Sequence, residues 1–109
     1  MATVNFQDLF DTLKTGVVDL AKGTVSDCVS EATTAGQNAL VEMKADIEDW
    51  SMSIATGEMD IKDVEFLIAG RKELTEMHGL EQLGIAQIEL DKFKNGMIDL
   101  IVGTISKVI

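Results

Sequence analysis

The sequence predicts an all-α protein: one long antiparallel helical hairpin that assembles into a helical bundle or array. Three observations carry that reading. Apolar residues recur at helical spacing from Phe6 to Ile54 and again from Ile61 to Ile109, giving two arms of about 49 residues each. The chain has no proline to interrupt either run. Its one strong break is Ala55-Thr56-Gly57-Glu58-Met59-Asp60. The 109 residues therefore read as a single domain, with arm one over 5–55, a turn over 56–60 and arm two over 61–109.

Arm one opens with start chemistry. Asn5 suits an N-cap, Asp8 falls at N3, and Val4 and Leu9 are spaced as a hydrophobic staple. The stripe then runs through Phe10, Leu13, Val17, Ala21, Val25, Cys28, Ala32, Gly36, Ala39, Met43, Ile47, Trp50 and Ile54. Its period lies nearer an eleven-residue than a seven-residue repeat, so the arm should be nearly straight. It is one amphipathic helix, or two joined near Gly36. Between Ala21 and Ala39 the stripe is mostly small. Glycine there costs up to ~1 kcal/mol against alanine, which a close approach by a partner helix offsets and a bent or broken helix does not.

The turn is the firmest local feature. Gly57 suits a helix C-terminus. Asp60 then reads as the next N-cap with Asp63 at N3, and Met59 and Val64 form a staple. Acidic residues Asp60, Asp63 and Glu65 favour the positive end of the following helix. Arm two continues through Leu67, Leu74, Met77, Leu80, Leu83, Ile88, Phe93, Met97, Ile101, Ile105 and Val108, with secondary breaks open at His78-Gly79 and Gly84.

Folding the chain about its turn places residue i opposite roughly residue 115 − i. Gly36 then meets Gly79, Ala32 meets Leu83 and Gly84, and Phe10 meets Ile105. Gly36, Gly79 and Gly84 are accordingly expected to permit close helix packing. A straight hairpin would be about 70 Å long at 1.5 Å per residue.

Arm two holds more apolar residues than one companion helix can cover. Phe66, Leu67 and Ile68 are consecutive and span most of a helix circumference, and residues 96–109 carry only Asp99 and Lys107 as charges. The expected outcome is an exposed apolar patch that seeks a partner. The residues expected to line it are Phe66, Ile68, Met97, Ile98, Leu100, Ile101, Val102, Ile105, Val108 and Ile109. Self-association, as a homo-oligomer or filament, is the leading expectation. A lipid-binding or pore-forming hairpin is the alternative, and an acidic adaptor for a basic protein is the third. Three or four shorter helices in a compact monomer would remove the need for any partner.

Composition narrows the function classes. The net charge of −10 repels phosphate backbones, and its nine Lys and Arg form no basic stripe, so nucleic acid is not an expected partner. No run reaches the ~18 apolar residues of a membrane span. Without a visible signal peptide the default compartment is cytoplasmic, with leaderless export left open. A single cysteine, Cys28, cannot staple the chain to itself.

Catalytic and metal chemistry find few parts. His78 is the one histidine, so no Ser-His-Asp set or His-rich zinc site can be built. A carboxylate-bridged di-iron bundle needs Glu-x-x-His, but Glu73 and Glu76 both miss that spacing. The acidic group Glu42, Asp46, Glu48, Asp49, Glu58, Asp60, Asp63 and Glu65 lacks the calcium-loop pattern and reads as caps and a solvated end. Trp50 is expected to cover the turn against Val64 and Ile68. The Trp-x-Gly motif of small secreted helical hairpins is replaced by Trp50-Ser51-Met52. The expectation is a non-catalytic protein with no cofactor, no metal and no small-molecule substrate.

Overall fold

In the computed structural model, which describes residues 6–72, 80, 82 and 84–108, arm one doubles back on itself. Helix α1 spans Phe6–Thr24, a 3-10 turn covers Ser26–Cys28, and α2 runs Val29–Glu42. The two helices are antiparallel: Gln37 Nε2 donates to the Lys14 carbonyl at 3.2 Å, and Gly36 packs on Val17. This corrects the straight first arm, and it moves the break from Gly36 to Thr24–Cys28.

Local chemistry explains the new position. Gly23 and Thr24 are poor helix interior residues, and the Thr24 hydroxyl donates to the Leu20 carbonyl at 2.7 Å, which competes with the ladder. Val25 then leaves helical geometry, at φ −130° and ψ 58°, and is fully buried. Gly36 sits inside α2, where the helix tolerates it because neighbours crowd that position.

Helix α3, Lys44–Ala55, prolongs α2 with one irregular residue between them. The i→i−4 bonds persist across it: Met43 N–H donates to Ala39 at 3.0 Å and Ile47 N–H to Met43 at 2.8 Å. Next comes the turn. Gly57 adopts φ 83° and its N–H donates to Ile54, while Met59 N–H reaches back to Ser53. Helix α4, Ile61–Ala69, starts in a reciprocal capping box. Asp63 N–H donates to Asp60 Oδ1 at 3.0 Å, and Asp60 N–H to Asp63 Oδ2 at 3.1 Å. After α4, Arg71 Nη2 meets Asp46 Oδ2 at 2.8 Å, which ties the outgoing chain to α3. Gly84 takes φ 74° in the approach to α5, Gln87–Val108.

The described residues are thus all-helical, in five α-helices rather than two arms. The principal extents are 46 × 23 × 19 Å, well short of a straight hairpin. Helices α1 and α5 run antiparallel, with Leu100 over Gly16 and Leu20 over Gly96. That register is within one residue of the pairing expected for the chain ends. The middle of the chain pairs differently: Gly36 lies against Val17, Phe93 and Met97, so α2 spans the α1–α5 seam.

This arrangement removes most of the expected apolar surplus. Helix α5 is flanked by α1, by α2 at Gly36 and by α4, instead of by one companion. Met97, Ile101 and Ile105 are fully buried, as is Ile68 of α4, so these four line the chain's own core and not an outer interface. Ile98, Leu100 and Val102 are half-buried against that core. Trp50, Val64 and Ile68 belong to the same core cluster, with Ile54 and Met59 packed on it. Asn5, His78, Gly79, Leu83, Ile109 and the side chain of Val108 lie outside the described residues.

Gly36 and Gly103 make a controlled pair. A Cβ at Gly36 would stand 2.6 Å from Val17 Cγ1, on a stiff, buried side chain, whereas at Gly103 nothing lies within 4 Å. Overpacking at Gly36→Ala costs about 1–3 kcal/mol, outweighing a helix-propensity gain of up to ~1 kcal/mol, so the unfolding midpoint falls. Gly103→Ala keeps the propensity gain alone and raises the midpoint. Chemical denaturation of both variants checks this, and equal signs for the two would contradict the packing. Asp60→Ala removes one side of the capping box and should cost ~1 kcal/mol.

Candidate functional site

Two features stand out: the seam between the terminal helices, and the outer face of α4. At the seam each helix offers a hole and a knob. Leu100 Cδ1 lies 2.5 Å from where a Cβ on Gly16 would be, and Leu20 occupies the same place over Gly96. Only glycine lets the backbone accept a leucine this closely. Knob and hole are four residues apart on each helix, so they share one face.

This reciprocity has a counterpart in the sequence. Residues 7–26 and 87–106 align without a gap and are identical at nine positions. The pairs are Gln7/Gln87, Asp11/Asp91, Lys14/Lys94, Gly16/Gly96, Asp19/Asp99, Leu20/Leu100, Gly23/Gly103, Thr24/Thr104 and Ser26/Ser106. Five further pairs exchange one apolar residue for another at buried positions: Phe10/Leu90, Leu13/Phe93, Val17/Met97, Ala21/Ile101 and Val25/Ile105. A surface hydrogen bond is also repeated, Gln7 Nε2 to Asp11 Oδ1 at 3.0 Å and Gln87 Nε2 to Asp91 Oδ1 at 2.8 Å. Helices α1 and α5 are two versions of one helix, packed about an approximate twofold axis. Gly16, Leu20 and Gly96 were not among the packing residues expected from periodicity. Self-comparison of the sequence at a separation of 80 residues is the signal that finds them.

On α4, Val64 and Ile68 turn inward and Phe66 turns outward. Phe66 is 81% exposed and the adjoining Leu67 41%. Charges of both signs flank them, Lys62 with Asp63 and Glu65, all exposed. Among the described residues, the remaining exposed large apolar side chains are Val41 on α2, Met52 on α3 and Ile88 at the start of α5. Phe66 is, among the described residues, the expected interface residue that stands fully outside the core.

The other expected sites fall as follows. Gly36 makes a close helix contact, to α1 and α5. Gly84 does not: it sits in open space, and its positive φ serves the turn before α5. Cys28 is half-buried and lines a shallow hollow of about 390 Å³ with Val25, Asp27, Ile85 and Glu89. A second hollow, of about 420 Å³, follows the outer groove between α1 and α5 beside Thr12, Gly16, Leu100 and Thr104. Phe10 is held at the other side of α1, with Lys14 Nζ at 5.1 Å and Lys44 Nζ at 5.3 Å from its ring centroid. Among the described residues no group of three His, Cys, Asp or Glu is placed to hold a metal ion, and no helix is long and apolar enough to cross a membrane.

The register at the seam is testable by double-mutant cycles. Gly16→Ala destabilises through Leu100, and Leu100→Ala relieves it, so this pair couples by about 0.5 kcal/mol or more. Gly96→Ala with Leu20→Ala couples to a similar degree. The same-helix pair Gly16→Ala with Leu20→Ala lacks the knob–hole contact and stays closer to additive. Equal coupling in all three cycles would refute the register.

No family model, curated protein or solved structure matches this chain.

Proposed function

We propose that this is a non-catalytic helical protein that acts by associating with copies of itself, with the outer face of α4 as the anchor of the assembly. The observation that carries the reading is Phe66, a large aromatic side chain left 81% exposed on a helix whose other face is fully packed. Burying one such side chain is worth roughly 1.5–3 kcal/mol, and aromatic residues of this kind dominate interface energetics. Leu67 extends the apolar contact. Lys62 beside Asp63 and Glu65 gives the rim both charge signs, so two copies can meet there without a single-signed repulsion. The half-buried Ile98, Leu100 and Val102 supply further apolar edge on α5.

A second reading has its own support. Glu42, Asp46, Glu48, Asp49, Glu58, Asp60, Asp63 and Glu65 fall on α3, α4, the turn and the end of α2, which favours a basic protein as partner of this end. Salt separates the two. Self-association of a chain of charge −10 strengthens as salt screens its repulsion, whereas capture of a basic partner weakens.

The test is sedimentation velocity over a range of protein concentration and salt. The expected result is a concentration-dependent oligomer, favoured by salt and weakened at least severalfold by Phe66→Asp. A chain that stays monomeric at all concentrations overturns the proposal, and an oligomer indifferent to Phe66→Asp removes α4 from it.

A further inference from the structure

The outer face of α4 arranges its charges so that a second copy of the same face complements them. Val64 and Ile68 turn inward, and at about 3.6 residues per turn the opposite side centres on Phe66. Lys62 stands one turn before Phe66, towards the helix start, and Glu65 lies on the same flank as Lys62. All three side chains are exposed, and among the described residues neither Lys62 nor Glu65 is ion-paired.

Three ways of laying α4 on a second α4 differ in what they bring together. A parallel pair sets Lys62 beside Lys62 and Glu65 beside Glu65, which repels. An antiparallel pair with its twofold axis level with Phe66 stacks the rings but leaves Lys62 opposite Ala69 and Gly70. With the axis level with Val64, Lys62 of each copy comes over Phe66 of the other, and Glu65 falls on the matching flank. The Lys62 stem then covers the ring while its ammonium reaches the second copy's Glu65, set about 1.5 Å off its level along the helix. Both contacts occur twice, as an isologous interface requires.

We infer that two copies of this chain pair α4 against α4 in that antiparallel register, through reciprocal Lys62–Phe66 and Lys62–Glu65 contacts. This rests on the self-association reading and names the contact it uses. A cation over an aromatic face is attractive, and opposite charges at contact fix orientation and register more than they add affinity. An interface centred on one helix of 9 residues is small, so the pairing is reversible and follows protein concentration.

Charge-swapped variants test the register by sedimentation velocity at about 0.15 M salt, where a screening length of about 8 Å damps repulsion between whole chains but spares pairs in contact. Lys62→Glu sets glutamates against each other and Glu65→Lys sets lysines against each other. Each variant alone should therefore dimerise at least severalfold more weakly than the unmodified protein. Glu65→Lys makes the chain less acidic, so a loss there cannot arise from general repulsion. In an equal mixture of the two variants, the introduced glutamate faces the introduced lysine, and the native Lys62 faces the native Glu65. The total charge then equals that of two unmodified chains. The mixture should regain most of the lost association, which also shows that both variants fold.

If the unmodified protein associates but the variants alone do so equally well, or mixing restores nothing, the antiparallel pairing is overturned while self-association stands. If the unmodified protein stays monomeric at every concentration, both fail together.

Discussion

The contact on which the fold depends is the seating of two leucines in two glycine holes between the terminal helices. Gly16 and Gly96 bring the backbones of α1 and α5 close enough for Leu100 and Leu20 to cross the seam. The close approach leaves a groove along the pair, and α2 fills it at Gly36, where Val17, Phe93 and Met97 converge. Three glycines on three helices thus set the inter-helix spacing. The larger side chains, Leu13, Met43, Ile47, Phe93 and Ile101, then fill what the spacing leaves. Shape at this level decides between one native arrangement and several loosely packed ones.

Once that seam is set, the apolar content of α5 has a different meaning. A helix with one companion needs one stripe, and every further isoleucine is a liability. Helix α5 has neighbours on three sides, and its wide apolar arc is the signature of a central helix. Leu90, Phe93, Met97, Ile101 and Ile105 are all sheltered by the chain itself. Residual exposure is left at scattered side chains, highest at Phe66 on the short helix α4, where Leu67 adjoins it, with Val41, Met52 and Ile88 elsewhere. The proposed association therefore starts from a folded chain with a local anchor, not from an open hairpin in need of cover.

The internal repeat links the fold to the proposed function. The two versions of the helix close the bundle on each other, which leaves the outer face of α4 to carry the proposed association. The acidic balance restrains that tendency, because a chain of charge −10 repels its copies at low salt. Net repulsion with a local apolar anchor would make the proposed association respond to concentration and ionic strength.

Helix content, the absence of proline breaks, the Gly57 turn and the Asp60–Asp63 capping box were legible in the sequence, because each rests on residues within a few positions of one another. The antiparallel meeting of the chain ends was legible too, since folding about the turn places Phe10 near Ile105, within one residue of the register that seats Leu100 over Gly16. The doubling back of arm one was not. Periodicity alone carries Val25 along the stripe; Gly23 and Thr24 weaken the helix locally, but the return of α2 against α1, with Val25 buried at the bend, is a choice made by tertiary packing. Likewise, the sequence shows that Met97, Ile101 and Ile105 must be covered, but not by what. Coverage depends on how many helices surround α5, and that number is a property of the packed molecule, not of any one segment.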